Sequence, residues 1–109
     1  MALSNDFFEF VQDQLSQWSD IDKKRMFGVL GLYREGLMFG IIAKNMVYMK
    51  VDESNKKKYL DAGATTLKVF KNNSEVPSYY ELPVDVLENA DEFIKWAKES
   101  YEIQVNKNS

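Results

Sequence analysis

Residues 25–50 read RMFGVLGLYREGLMFGIIAKNMVYMK. Strand-forming residues dominate this stretch, and Gly or Asn interrupts them at short intervals, which is typical of consecutive antiparallel strands joined by tight turns. The predicted two-residue turns are Glu35-Gly36 and Lys44-Asn45, because Gly and Asn tolerate the left-handed backbone that such turns need. The stretch therefore predicts strands at 26–29, 32–34, 37–43 and 46–51, with Gly31 breaking the first two apart.

The strand at 37–43 lacks the polar alternation of a strand that faces water on one side. Every residue from Leu37 to Ala43 is apolar or Gly, whereas a half-exposed antiparallel strand alternates. Helices of the chain cover one face of such a sheet, and the other face is covered by a further part of the chain or by a second molecule. The pattern therefore predicts an apolar interaction surface on the sheet, with a homodimer as its expected form.

Three amphipathic segments flank the strands. The first helix follows Ser4 and carries an apolar stripe at helical spacing, formed by Phe7, Val11, Leu15 and Trp18. A middle helix follows Asp52 or Ser54 and ends at Gly63. The last helix runs from about residue 90 to 102 and starts with Asn89 and Glu92 in capping-box spacing. Its buried stripe is predicted at Phe93, Trp96, Ala97 and Tyr101.

Two further strands are predicted at 65–71 and 78–82, the second ended by Pro83. A polar turn at 72–74 joins them. The chain is thus an α+β protein, with an antiparallel β-sheet of about five to six strands flanked by an N-terminal helix, a middle helix and C-terminal helices. Residues 1–109 form a single domain, and we expect a disordered tail at 104–109.

The composition narrows the chemistry that the chain can perform. It has 109 residues, no Cys and no His, and a net charge of −3, so thiol chemistry and the commonest general base are absent. No apolar run approaches the length of a membrane span, and the N-terminus lacks the pattern of a signal peptide. We therefore expect a cytoplasmic protein with no cofactor and no catalytic residues.

The predicted interaction surface centres on the glycine-rich hairpin. Arg25 is its polar anchor, because a guanidinium binds carboxylate or phosphate; a structural ion pair is an equal alternative. Tyr79 and Tyr80 are adjacent on one strand and point to opposite faces, so one is in the core; the other is either free to stack on a base or a partner, or an ordinary tyrosine at the solvent-exposed rim. The candidate surface comprises Arg25, Met26, Phe27, Gly28, Gly31, Tyr33, Tyr79 and Tyr80.

Two other functions compete with protein binding. Direct nucleic-acid binding would use a basic patch, although the net negative charge argues against it; the patch comprises Lys23, Lys24, Arg25, Lys56, Lys57 and Lys58. A small enzyme would use Tyr or paired carboxylates such as Asp20 and Asp22, or the pairs at 52–53 and 91–92. Each pair lies at the predicted end of a helix or strand, where capping is a sufficient explanation.

Several motifs together resemble the TfoX N-terminal domain family, named after a bacterial competence regulator. They are Arg25-Met26-Phe27-Gly28-x-x-Gly31-Leu32-Tyr33, Gly36-Leu37-Met38-Phe39, Tyr48-x-Lys50-Val51-Asp52, Tyr79-Tyr80-Glu81-Leu82-Pro83 and Trp96-Ala97. The resemblance spans residues 7–101. It implies a bacterial, cytoplasmic α+β domain, which in competence regulators precedes a helical C-terminal domain. Since this chain ends before such a domain, we expect a stand-alone, non-enzymatic regulatory module that binds a protein partner.

Overall fold

The computed structural model describes residues 5–26, 28–69 and 74–107. In chain order the elements are α1 (Asn5–Gln14), β1 (Ile21–Met26), β2 (Val29–Arg34), β3 (Leu37–Ala43), β4 (Met46–Lys50), α2 (Lys56–Asp61), β5 (Thr66–Val69), β6 (Ser74–Glu81), α3 (Val84–Leu87) and α4 (Ala90–Lys107). The strands pair antiparallel in one six-stranded sheet with the order β1-β2-β3-β4-β6-β5. The predicted α+β fold is confirmed.

The two predicted turns in the first part of the sheet are confirmed. Glu35 and Gly36 join β2 to β3 with φ values of 51° and 81°, and Lys44 and Asn45 join β3 to β4 with φ values of 54° and 59°. Two consecutive left-handed residues match the right-handed twist of a hairpin. These turns fix the register of β3 against both of its neighbours.

The prediction for the first strand is wrong. β1 spans Ile21–Met26, so the basic residues 23–25 lie within a strand and not before it. β2 continues through Gly31, which pairs with Lys24 on one side and Ile41 on the other. β1 is an edge strand, and charged side chains are common there because they discourage pairing with other chains. The sequence of β1 is therefore polar and lacks the alternating apolar residues that would have predicted a strand.

The C-terminal half also differs in its boundaries. α2 begins after Asn55, later than either predicted cap, and Gly63 ends it with a φ of 77° as predicted. α4 continues to Lys107, so residues 104–107, assigned by sequence to a tail, are helical. The amide Nε2 of Gln104 donates to the Met38 carbonyl oxygen at 2.7 Å, which ties this last turn to the sheet.

Several sequence predictions fall outside the described residues: the Ser4 cap, Phe27, the turn residues 72 and 73, and the tail residues 108 and 109. The predicted start of the last helix lies inside them and is confirmed. The Glu92 amide donates to Asn89 Oδ1 at 3.1 Å, the hydrogen bond of an N-cap.

The main core lies between the sheet and helices α1 and α4. Trp18, just after α1, is at its centre, with ring centroids 5.1 Å from Phe39 and 5.8 Å from Tyr101. The predicted stripe of α4 contributes Phe93 and Ala97, both fully buried. We call the side of the sheet that carries this core the helix face.

A bulge in β3 leaves no room for a side chain at Gly40. The β2–β3 register shifts between Leu32 and Tyr33, so that Phe39 has no partner on β2. A Cβ atom on Gly40 would lie 3.1 Å from the Met49 sulfur and 3.2 Å from the carbonyl oxygen of Tyr48. Gly40 therefore allows close approach of β3 and β4.

We expect Gly40→Ala to lower the free energy of unfolding by about 1–3 kcal/mol, since overpacking a core costs this much. Gly40→Val should cost more, because the Tyr48 carbonyl belongs to the paired backbone and cannot move aside. Urea denaturation followed by fluorescence measures both. A valine variant as stable as the wild type would contradict the close packing.

The opposite side of the sheet is covered partly by the chain itself. A second buried cluster forms there from Ile41, Ala43, Leu67 and Tyr79. Leu67 comes from β5, so the β5–β6 hairpin supplies part of the cover that the sequence analysis required. Partly buried apolar residues pack against this cluster: Val29, Met38, Tyr48 and Val76. The homodimer stays a prediction, and these partly buried residues are its expected contact surface.

Candidate functional site

The most distinctive surface is the side of the sheet opposite α1 and α4. Tyr33 pairs with Met38, and Ile41 pairs with Tyr48, so these side chains share one face. Tyr33, Met38 and Tyr48 are only half-buried. We call this surface the tyrosine face and define it by Val29, Tyr33, Met38, Ile41, Tyr48, Lys50, Tyr79 and Glu81.

Tyr79 anchors the tyrosine face to the rest of the fold. Its side chain is 5% exposed, and its hydroxyl donates to the Met38 carbonyl oxygen at 3.4 Å. The pKa of Tyr79 is raised to about 12, chiefly by burial and then by nearby Tyr33, while a hydrogen bond with Gln104 opposes the change. The same carbonyl accepts from Gln104, so α4 and β6 both hold the start of β3 in place.

Lys50 is a nearly buried cation of the tyrosine face, and sequence reasoning missed it. It is 9% exposed, with its ammonium 5.5 Å from the centre of the Tyr79 ring. Burial lowers the pKa of Lys50, and Lys107 lowers it further, whereas Asp52 opposes both. Among the described side chains no carboxylate lies within ion-pair distance of it. The sequence feature that could have identified Lys50 is a charged residue at the end of a strand whose other residues, 46–49, are apolar.

Backbone contacts fix the position of Lys50. Its carbonyl oxygen accepts hydrogen bonds from Ser100 Oγ at 2.7 Å and from Asn55 Nδ2 at 3.2 Å. Glu81 pairs with Tyr48 on the neighbouring strand, so its half-buried carboxylate lies on the same face. Burial, and then the charge of Glu81, raise the pKa of Tyr48. The tyrosine face thus carries the amine of Lys50 and the carboxylate of Glu81 on two paired strands.

The two adjacent tyrosines face opposite ways, as predicted, but neither is free for stacking. Tyr79 belongs to the second cluster, and Tyr80 belongs to the main core with its ring centroid 6.2 Å from Tyr59 of α2. Both are under a tenth exposed. The expectation that one of them is free to stack is wrong, because α2 covers one side of β6 and the second cluster occupies the other.

The predicted anchor Arg25 lies on β1, away from the buried tyrosines. Its side chain is exposed and, within the described side chains, forms no ion pair. Pairing with Leu30 places Arg25 on the helix face, as pairing with Leu32 does for Lys23, while Lys24 lies on the other side. Gly28 forms the β1–β2 turn, and nothing is described of Phe27 or of the Met26 side chain.

The predicted basic patch is divided between two ends of the molecule. Lys57 pairs with Asp61 at 2.9 Å, and Lys58 pairs with Glu99 while its ammonium lies 4.2 Å from the centre of the Trp96 ring. These lysines belong to α2, which packs on β6. β6 is four strands from β1, so the strand that α2 packs on lies about 19 Å across the sheet from the strand that carries residues 23–25.

The paired carboxylates lie in separate parts of the fold: at the start of β1, between β4 and α2, and at the start of α4. Asp52 accepts hydrogen bonds from Ser54 within its own loop. In the ranges that the structure describes, no group of three or more acidic side chains has a geometry suited to a metal ion. Over the same ranges, no helix has both the length and the apolar character that crossing a bilayer requires.

Comparison with protein families relates the chain to a known domain. The family model for the TfoX N-terminal domain matches residues 13–103, which is most of the chain and includes β1 to β6 and the larger part of α4. No curated protein matches the chain. The matched range contains every residue of the tyrosine face.

Proposed function

We propose, from the fact that this chain belongs to the TfoX N-terminal domain family, that it is a cytoplasmic regulatory domain that acts by binding another protein chain. The family suggests a regulatory role related to bacterial competence. Catalysis forms no part of the proposal. The action instead consists of presenting a surface to a partner, and the residues that carry it lie on the tyrosine face.

The observation that carries this proposal is the composition and rigidity of the tyrosine face. Tyr33, Met38 and Tyr48 are partly exposed on paired central strands, and Tyr and Met are among the residues enriched at the centres of protein interfaces. Because the sheet holds them in fixed positions, binding would order few side chains and would lose little entropy. This favours association over a surface of modest size.

A second copy of the chain is the partner that the charges favour. Lys50 lacks a carboxylate partner among the described residues, and Glu81 lies on the same face. In a two-fold dimer each surface meets itself, so the amine of one copy can pair with the carboxylate of the other. The same face would then satisfy its own charges and cover its own apolar residues.

Light scattering tests this proposal. We expect twice the mass of the 12.7 kDa chain for the wild type. Tyr48→Arg should weaken association by about tenfold or more, as for a central interface residue. Leu60→Arg is the matched control, since Leu60 is 52% exposed but lies on α2, away from the tyrosine face.

A monomeric wild type would exclude the second copy and leave a different protein as partner. Immobilised wild type and Tyr48→Arg would then be compared for the proteins that they retain. If the variant retains the same proteins as the wild type, the tyrosine face is not the contact surface. If Tyr48→Arg folds and dimerises as the wild type does in the light-scattering experiment, the tyrosine face is not the dimer surface and the proposal fails.

Direct nucleic-acid binding stays a prediction that no structural observation favours. The basic residues of β1 and α2 are far apart, and two of the α2 lysines already pair with carboxylates. Binding through phosphate contacts would weaken steeply as salt increases. A gel-shift series at low salt, with Lys23, Lys24 and Arg25 replaced by Gln in the control, distinguishes it from protein binding.

A further inference from the structure

Lys50 lies among the side chains that cross one end of the tyrosine face. Its partner on β6 is Tyr79, whose hydroxyl reaches across to the Met38 carbonyl oxygen of β3 at 3.4 Å. The Lys50 side chain is 9% exposed, and its ammonium lies 5.5 Å from the centre of the Tyr79 ring. The aliphatic part of Lys50 is therefore covered, and the aromatic ring favours one position of the charge.

The C-terminal end of α4 brings a second amine to this place. Ser100 Oγ donates to the Lys50 carbonyl oxygen at 2.7 Å, and Gln104 Nε2 donates to the Met38 carbonyl oxygen at 2.7 Å. Lys107 follows Gln104 at the i+3 position, so it lies on the same side of α4, one turn further along. Burial, and then the charge of Lys107, lower the pKa of Lys50, which agrees with this placement.

Positive charge predominates around these two amines. In the described part of the chain neither Lys50 nor Lys107 forms an ion pair. Asp52 is the acid whose charge acts on Lys50, and it affects the pKa less than Lys107 does. Asp52 Oδ1 accepts hydrogen bonds from the amide and the hydroxyl of Ser54, within its own loop. The C-terminal dipole of α4 adds only about half a negative charge.

The Lys50 ammonium keeps access to water. Over the described residues, the buried side-chain atom without a hydrogen-bond partner is Tyr59 Oη. Lys50 Nζ also has no described hydrogen-bond partner, yet it is not among such buried atoms, so it reaches the surface. An ammonium offers three N–H donors, and a charge that is mostly buried is costly when they stay unpaired. A negatively charged acceptor would remove this cost.

We propose that Lys50 and Lys107 bind an oxyanion, a phosphate or carboxylate group, where the tyrosine face meets the end of α4. The charged oxygens accept hydrogen bonds from the two ammonium groups, and such charge-assisted bonds are among the strong ones. All of the residues involved belong to one chain, so the site is complete without a second copy. This adds a small-ligand site to a surface proposed above for protein binding.

A bound oxyanion would also compete with self-association. This consequence, unlike the site itself, rests on the proposed function, in which the Lys50 amine of one copy pairs with the Glu81 carboxylate of the other. The oxyanion occupies the same amine. Phosphate at saturation should therefore shift the mass in light scattering from the dimer towards the monomer.

Amide NMR signals of β4, β6 and the end of α4 measure oxyanion binding directly. The probes are inorganic phosphate and acetate, each titrated against sodium chloride at equal ionic strength, so that general screening stays constant. We expect saturable shifts at millimolar phosphate. Tighter binding of phosphate than of acetate would support the site and assign it a phosphate group, whereas the reverse would support it and assign a carboxylate.

Four variants test the residues of the site. Lys50→Met keeps an unbranched apolar side chain and should weaken phosphate binding about tenfold or more, as for the loss of a hydrogen-bonded charge. Lys107→Gln changes an exposed residue and should weaken it about three- to fivefold. Lys98→Gln is the matched control, since Lys98 is exposed on the opposite side of α4. Glu81→Gln removes the carboxylate that the dimer would use and should not weaken phosphate binding.

Two results would overturn the oxyanion site. One is a set of shifts that fails to saturate or that chloride reproduces at equal ionic strength. The other is wild-type phosphate affinity in the Lys50→Met, Lys107→Gln double variant. A wild type that is monomeric without phosphate contradicts the dimer alone, because the titration then measures the site without competition. Saturable binding that leaves a dimer intact contradicts only the competition.

Discussion

Replacing Phe39 with Ala is expected to lower the free energy of unfolding by about 3–5 kcal/mol, the usual cost of removing a buried aromatic ring. Phe39 is fully buried, and its ring centroid lies 5.1 Å from that of Trp18. It is the extra residue of the β3 bulge, and its ring belongs to the main core on the helix face. Urea denaturation at equilibrium measures the loss.

Two variants show whether this loss comes from burial. Phe10→Ala removes the same ring from a position on α1 that is 38% exposed, and should cost about 1 kcal/mol or less. Phe39→Leu keeps most of the buried volume and should cost about 1.5 kcal/mol. If Phe39→Ala proved no more costly than Phe10→Ala, the central role of Phe39 in the core would be refuted.

The second large effect is expected at alkaline pH. The pKa of Tyr79 is about 12 in the folded chain against an ordinary value of 10.0. Between these values the unfolded chain loses the proton while the folded chain keeps it, so the folded state binds more protons and stability falls as pH rises. Two pKa units correspond to a loss of about 2–3 kcal/mol by the upper end of this window.

Other groups act in the same window or just below it. The raised pKa of Tyr48 adds to the alkaline loss. The lowered pKa of Lys50 has the opposite effect on stability. Between that lowered value and 10.5 the unfolded chain binds more protons than the folded chain, so stability rises with pH in this range. We therefore expect a maximum in stability followed by a fall above pH 10.

Burial also raises the pKa of the fully buried Tyr59, which adds to the same fall. Tyr79→Phe removes only the part that Tyr79 contributes. Between pH 9 and pH 12, the variant should lose about 2 kcal/mol less stability than the wild type loses. Lys50→Met is the companion variant, and it should lose the rise that precedes the maximum. An unchanged alkaline fall in Tyr79→Phe would show that Tyr79 does not cause it.

Local chemistry made the turns and the helix start predictable. Glu35-Gly36, Lys44-Asn45 and the Asn89 cap were each correct, because the backbone conformation at these positions depends on a few neighbouring residues. The tyrosine face was predicted in part. Apolar residues at every position of 37–43 indicated that both sides of β3 need cover, but the covering residues Leu67 and Tyr79 come from distant parts of the chain.

The charged strand β1 was not predictable from its own residues. IDKKRM has neither apolar alternation nor strong strand propensity as a whole, and it is a strand because β2 offers a pairing edge.

The sequence by itself determined the α+β class, the positions of the tight turns, the apolar stripes of the helices and the family to which the chain is related. These features depend on conformational preferences within a few residues and on hydrophobic periodicity. Only the tertiary structure decided that both adjacent tyrosines are buried and that Lys50 lies against Tyr79 without a described carboxylate partner. Burial and pairing are properties of surfaces brought together by the whole chain, and no local pattern specifies which surfaces will meet.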